Sequence, residues 1–112
     1  MTDKIVVFST CETEEEAARV GRSLVEKGLA ACVNILPGMR SIYRWKDAVE
    51  EASETLLIIK TGRPLVGAVE AEIERLHSYE LPEVVALQIV DGSDRYLDWL
   101  AAGLKQTDAE PR

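Results

Sequence analysis

Cys11, His77 and Glu83 are the residues of this sequence best suited to chemistry. A thiolate, an imidazole and a carboxylate together form a donor set of the type that holds Cu(II) or Zn(II). The chain has 112 residues with two cysteines and one histidine, too few soft ligands for a closed four-coordinate structural zinc site. Nothing in it marks a secreted, disulfide-stapled scaffold, so Cys11 and Cys32 read as free thiols. The single histidine also limits catalysis. A Ser-His-Asp or Cys-His arrangement would have to use His77, and no Ser or Cys stands in a nucleophile-elbow setting. The glycines at positions 21, 28, 38, 62, 67, 92 and 103 are scattered and form no phosphate-cradling loop. The sequence does not read as an enzyme.

These side chains have to be positioned by local structure. Lys4 to Thr10 is β-branched and aromatic and reads as a strand. Thr13 and Glu16 have capping-box spacing, Glu14, Glu15 and Glu16 suit the positive end of a helix, and Ala17, Val20 and Leu24 recur at helical spacing up to a stop at Gly28. Cys11 therefore falls at a strand-to-helix junction. There the helix favours a thiolate, while the neighbouring glutamates oppose it by raising the thiol's pKa. Cys32, between Ala31 and Val33, reads as core packing.

From Ala31 the chain is strand-like to Trp45 with a bend at Pro37-Gly38, which argues for a bulge and an edge position. Lys46-Asp47 reads as a hairpin tip, and a return strand runs to Thr61. A second helix starts near Pro64 and carries Leu65, Val69, Ile73 and Leu76. His77 to Glu83 is a loop, Val84 to Val90 a strand, and Ser93 caps a short helix with Tyr96, Leu97, Leu100 and Leu104. The order βαββαβ plus a terminal helix predicts an α+β, ferredoxin-like sandwich with helices on one sheet face. It forms one domain over residues 1–105, followed by a polar tail at 106–112.

A formal charge of −7 argues against gripping a phosphate backbone. Apart from Phe8, the central strands are aliphatic and lack the aromatics that stack on RNA bases. No apolar run approaches the ~20 residues of a membrane span, and none near the start resembles a signal-peptide core, so a cytoplasmic location is expected. The strands are apolar on both faces: Val6 and Phe8 oppose Ile5 and Val7, and Leu56 and Ile58 oppose Leu57 and Ile59. Two crossover helices cover one face only, and an uncovered apolar face of several hundred Å² is unusual on a monomer, so a homo-oligomer is expected. Tyr43, Trp45, Tyr79, Tyr96 and Trp99 suit a core, an interface or a pocket.

The segments Ala31-Cys-Val-Asn-Ile-Leu-Pro-Gly38, Ser41-Ile-Tyr-Arg-Trp45, Ile59-Lys-Thr61, His77-Ser-Tyr-Glu-Leu-Pro-Glu83 and Tyr96-Leu-Asp-Trp-Leu100 occur in this order. In them the chain resembles the CutA family of divalent-cation tolerance proteins. The resemblance implies a ferredoxin-like protomer in a PII-like homotrimer, with the long hairpin reaching across to neighbouring subunits. It also implies a cytoplasmic role in tolerance of copper and other divalent cations, without catalysis. The implied metal ligands are His77, Glu83 and a residue near the end of the first strand, where the family position falls on Cys11 or on Ser9. Ser78 stands where the family usually has proline, and Trp45-Lys46-Asp47 lacks a glycine common after the tryptophan. A second reading is a PII-like signalling module that takes a small metabolite or a partner protein at the clefts between subunits. Tyr43, Trp45, Lys60, Tyr79 and Trp99 are its cleft or interface candidates.

Overall fold

The β-branched run at the start of the chain forms strand β1 (Lys4–Cys11) in a computed structural model that describes residues 2–106. Helix α1 (Glu14–Glu26) follows, started by Thr13, whose side-chain oxygen accepts the Glu16 N–H at 3.1 Å. It ends in a Schellman motif. Gly28 takes a φ of 71°, its N–H bonds the Val25 carbonyl, and the Leu29 N–H bonds that of Leu24. Leu24 and Leu29 are both in the core, so the cap also fixes where the chain turns back to the sheet.

Strands β2 (Cys32–Trp45) and β3 (Ala48–Gly62) form the long hairpin. Their register slips between Leu36 and Met39, at the expected Pro37-Gly38 bulge, with Gly38 at a φ of 81°. The two-residue tip places Lys46 and Asp47 at φ 50° and 67°. Both are left-handed conformations that a glycine would adopt without the cost of roughly 1 kcal/mol. The hairpin projects, which gives extents of 48 × 26 × 24 Å and a radius of gyration of 14.7 Å, against about 13 Å for a round domain near this length.

A 3-10 turn at Arg63–Leu65 holds Pro64, and helix α2 runs Val66–Leu76. Strand β4 is Val85–Gln88, shorter than the expected Val84 to Val90, because as an edge strand it pairs with β1 alone, over Ile5 to Phe8. Helix α3 is Asp94–Ala102, capped by Ser93, and Leu104 lies beyond its end. The expected polar tail, beyond Gln106, lies outside the described residues.

The sheet order is β2-β3-β1-β4 with every neighbouring pair antiparallel, which is the ferredoxin-like arrangement and puts β2 on the expected edge. Ile5, Val7, Leu57 and Ile59 meet α1 and α2 through Val20, Leu24, Val69 and Ile73 to make the core. Residues directly opposed in the register share a face, so Val6, Phe8, Leu56, Ile58, Leu36, Val85 and Leu87 all lie on the other one. Helix α3 covers part of it, with Leu100 fully buried, but Leu36, Val85 and Leu87 keep 47%, 49% and 43% of their surface exposed. Cys32 pairs with Lys60 on this open face and is only half-buried, which corrects the reading of Cys32 as core. An alternating strand has two faces, and the sheet register decides which of them meets the helices.

Helices α1 and α2 are tied by Glu72, a buried carboxylate that accepts from the Ser23 hydroxyl and pairs with Arg75 at 2.7 Å and Lys27 at 3.0 Å. The Arg75 bonds, followed by that of Ser23, hold its carboxyl well below the usual range. A depressed carboxyl stabilises the fold above its unfolded value, and that contribution is lost as pH falls through the folded one. Glu72→Gln is therefore expected to lower stability by about 1–2 kcal/mol at pH 7, the two cations being half-exposed. Its deficit should shrink as pH is lowered from 7 to 2, as read by urea denaturation at the two pH values.

Candidate functional site

Three elements deliver Cys11, Glu16 and His77 to one place: the end of β1, the first turn of α1 and the chain just after α2. Cys11 is opposite Thr55 on the helix face of the sheet and fully buried. Glu16 is one helical turn before Val20 and two before Leu24, so it faces inward and is 5% exposed. One ligand atom from each of the three lies within 4.8 Å of the others. Ser9 is on the same strand face and buried, with no partner for its hydroxyl among the described residues.

The hydrogen bonds define the chemistry. The His77 ring donates from Nε2 to the Thr10 carbonyl at 2.6 Å and accepts the Tyr79 N–H at Nδ1 at 3.0 Å, a pattern that assigns the neutral ring. The Glu16 Oε2 accepts the Ser78 N–H at 2.7 Å, while Oε1 is buried without a partner among the described residues. Burial raises the Glu16 carboxyl, and the Ser78 bonds are first among the interactions that nevertheless hold it below its ordinary value. Burial, then the Glu16 charge, pushes the Cys11 thiol up to about 12. The thiol is protonated at neutral pH, so any ion held here has to expel that proton. By type, the set of sulfur, imidazole nitrogen and carboxylate oxygen fits a borderline-soft divalent ion.

Glu83 is elsewhere. With Thr10, Tyr43, Trp45, Glu54 and Tyr79 it lines a cavity of about 440 Å³ between the hairpin and the loop after α2. Burial, followed by the Glu54 charge, raises its carboxyl. Glu54 is 8% exposed and accepts the Tyr79 hydroxyl at 2.8 Å, and burial together with that bond raises the Tyr79 phenol. Of the five aromatic and basic candidates, three are gathered here. Lys60 and Trp99 are not: Lys60 donates to the Tyr96 hydroxyl at 3.2 Å and lies over its ring, and Trp99 stacks on Tyr96 at 5.5 Å, both aromatics being on α3.

Sequence reasoning missed Glu16 and Glu54 as site residues. Glu16 was legible as a charge on the buried stripe of α1, since it stands four residues before Val20. Glu54 shares a strand face with Leu56 and Ile58, by period-two alternation.

The family model of the CutA1 divalent ion tolerance protein matches residues 5–103. The Divalent-cation tolerance protein CutA of Thermus thermophilus is 47% identical over 95 residues, which span 85% of this chain and 92% of that one. The chloroplastic Protein CutA of Arabidopsis thaliana is 46% identical over 96 residues, 86% of this chain and 53% of its own length. The chain thus spans about half the length of that plant relative. Among solved structures, the divalent cation tolerance protein (Cut A1) from Thermus thermophilus superposes with a TM-score of 0.89 at 44% identity, covering 91% of this chain and 99% of that one. CutA from Xylella fastidiosa gives 0.90 at 39% identity, covering 93% and 100%. No described helix is long and apolar enough to cross a membrane.

Proposed function

The chain belongs to the CutA1 divalent ion tolerance protein family, and from that premise we propose that it is a cytoplasmic, non-catalytic homotrimer that binds Cu(II) or Zn(II) through Cys11, Glu16 and His77. The observation that carries the reading is the convergence of three unlike donors within 4.8 Å, the carboxylate among them having one oxygen buried and unpartnered among the described residues. Glu16 takes the place of Glu83 as the carboxylate of the set, and Glu83 stays with the neighbouring cavity. The apolar open face supports the assembly, because a neighbour that covers it removes Leu36, Val85 and Leu87 from water.

Capture costs the protein two arrangements. The Cys11 proton leaves, and His77 either gives up the bond from Tyr79 to free Nδ1 or moves its proton to Nδ1 to free Nε2, which costs both bonds. The bound ion supplies a compact positive charge for the thiolate and the Glu16 carboxylate. Affinity is accordingly expected to be modest, with a proton released per ion. Titration of the full chain with Cu(II) and with Zn(II) by calorimetry in two buffers of different ionisation enthalpy tests this. His77→Ala and Cys11→Ser are expected to weaken binding at least tenfold, and unchanged binding in both would remove the site.

A second reading, a PII-like signalling module, is favoured by the 440 Å³ cavity lined by Tyr43, Trp45 and Tyr79. Its volume and aromatic walls are those of a small-molecule pocket.

A further inference from the structure

Both ways of freeing a nitrogen on His77 cost the same hydrogen bond. With the proton left on Nε2, a ligated Nδ1 no longer accepts the Tyr79 N–H. With the proton moved to Nδ1, that nitrogen becomes a donor, and the Tyr79 N–H again loses its acceptor. The loss is therefore the same whichever nitrogen is used. Glu16 behaves differently. Its Oε2 holds the Ser78 N–H, while Oε1 is buried and without a partner among the described residues. The carboxylate thus has an oxygen to give while the Ser78 bond stays in place, and Tyr79 is the residue that has to rearrange.

Tyr79 is also tied to the hairpin. Its hydroxyl donates to Oε2 of Glu54 at 2.8 Å, and its ring lies 4.6 Å from that of His77, tilted by 49°. Glu54 belongs to β3, is 8% exposed and pairs in register with Met39, just past the bulge in β2. A buried carboxylate depends on the donors it has, because water does not replace them. The Tyr79 N–H and the phenol sit on one residue, so the reorientation that finds the N–H a new acceptor also moves the ring against His77 and the hydroxyl against Glu54. Every contact in this path lies within one chain, so the path does not depend on what covers the open face of the sheet. We propose that Tyr79 couples occupancy of the Cys11, Glu16 and His77 group to the β2–β3 hairpin, its N–H reading the state of His77 and its hydroxyl passing the change to Glu54. The proposal rests on the metal reading of that group and supplies its regulation. By linkage, an intact Tyr79–Glu54 bond favours the empty group, and occupancy of the group favours its release.

Zn(II), a closed-shell ion that leaves resonances sharp, is the probe, titrated into the full chain and followed by amide chemical shifts, amide hydrogen exchange and the Glu54 carboxyl carbon shift. Saturation is expected to speed exchange at Tyr79 severalfold more than at Ser78, and to move the Glu54 carboxyl and the amides beside it in proportion to occupancy. Tyr79→Phe keeps the ring and removes the tether. It is expected to abolish the response at Glu54 and to tighten Zn(II) binding about two- to tenfold, the range that one net hydrogen bond spans. A tyrosine with a merely structural role would weaken binding or leave it unchanged on losing its hydroxyl, and either result overturns the coupling. So does saturation with no change at Glu54, or with exchange at Tyr79 that rises no more than at Ser78; in each of these cases the metal site stands. Zn(II) uptake that is the same in His77→Ala removes the metal reading itself, and the coupling with it.

Discussion

Leu57→Ala is expected to lower the free energy of unfolding by about 3–4 kcal/mol, among the larger losses a single core truncation produces. Leu57 is fully buried in β3, the strand that pairs with both β1 and β2, where the register sets it between Ser9 and Ile35. The side chains above it come from α1 and α2, whose own backbones are fixed by the sheet and by the Glu72 tie, so the site has little freedom to collapse around a void. The urea midpoint at one fixed protomer concentration measures this, since assembly makes apparent stability concentration-dependent. A loss under about 1 kcal/mol would mean that the sheet and helices repack more freely than their contacts imply.

Ile58→Asp, one residue further on, is expected to do something different. Its side chain points to the opposite face, between Phe8 and Asn34, where it is half-buried in the single chain. A carboxylate there stays solvated in a lone protomer. If a neighbour covers the face, the same carboxylate becomes an unpaired buried charge, with a penalty of several kcal/mol at each of the equivalent interfaces. The expected outcome is a folded chain with unchanged far-ultraviolet circular dichroism that elutes at the mass of one protomer. Retention of the parent's assembled mass would mean that the open face is not the one that neighbours cover. Adjacent residues thus separate the two roles of the strand: truncation on one face tests the core, and charge on the other tests assembly.

Much of this architecture could be read from local sequence because its determinants are local. Thr13 and Glu16 mark the start of α1, Gly28 its left-handed end, Pro37-Gly38 the bulge and Ser93 the start of α3. The site was less legible because its contacts span long separations. A glutamate three residues after an N-cap threonine reads as a residue that returns to its own helix end. In the fold, Glu16 also takes the N–H of Ser78, 62 residues away. Glu54 sits in a polar stretch of the hairpin that reads as solvent-facing, and it is buried by Tyr79, 25 residues downstream. Cys32 reads as core because both strand faces are apolar, and the difference between them lies in which one the helices occupy. Composition, with 46% hydrophobic residues in 112, did signal that more apolar surface exists than one sheet face uses.

Native mass spectrometry of the full chain under stepwise Cu(II) and Zn(II) addition reads assembly and metal capture at once. The expected result is a three-chain species that takes up three ions, one per Cys11, Glu16 and His77 group, with uptake lost in His77→Ala while the three-chain mass persists. A one-chain species, or uptake that climbs without a plateau and is indifferent to His77→Ala, would contradict it.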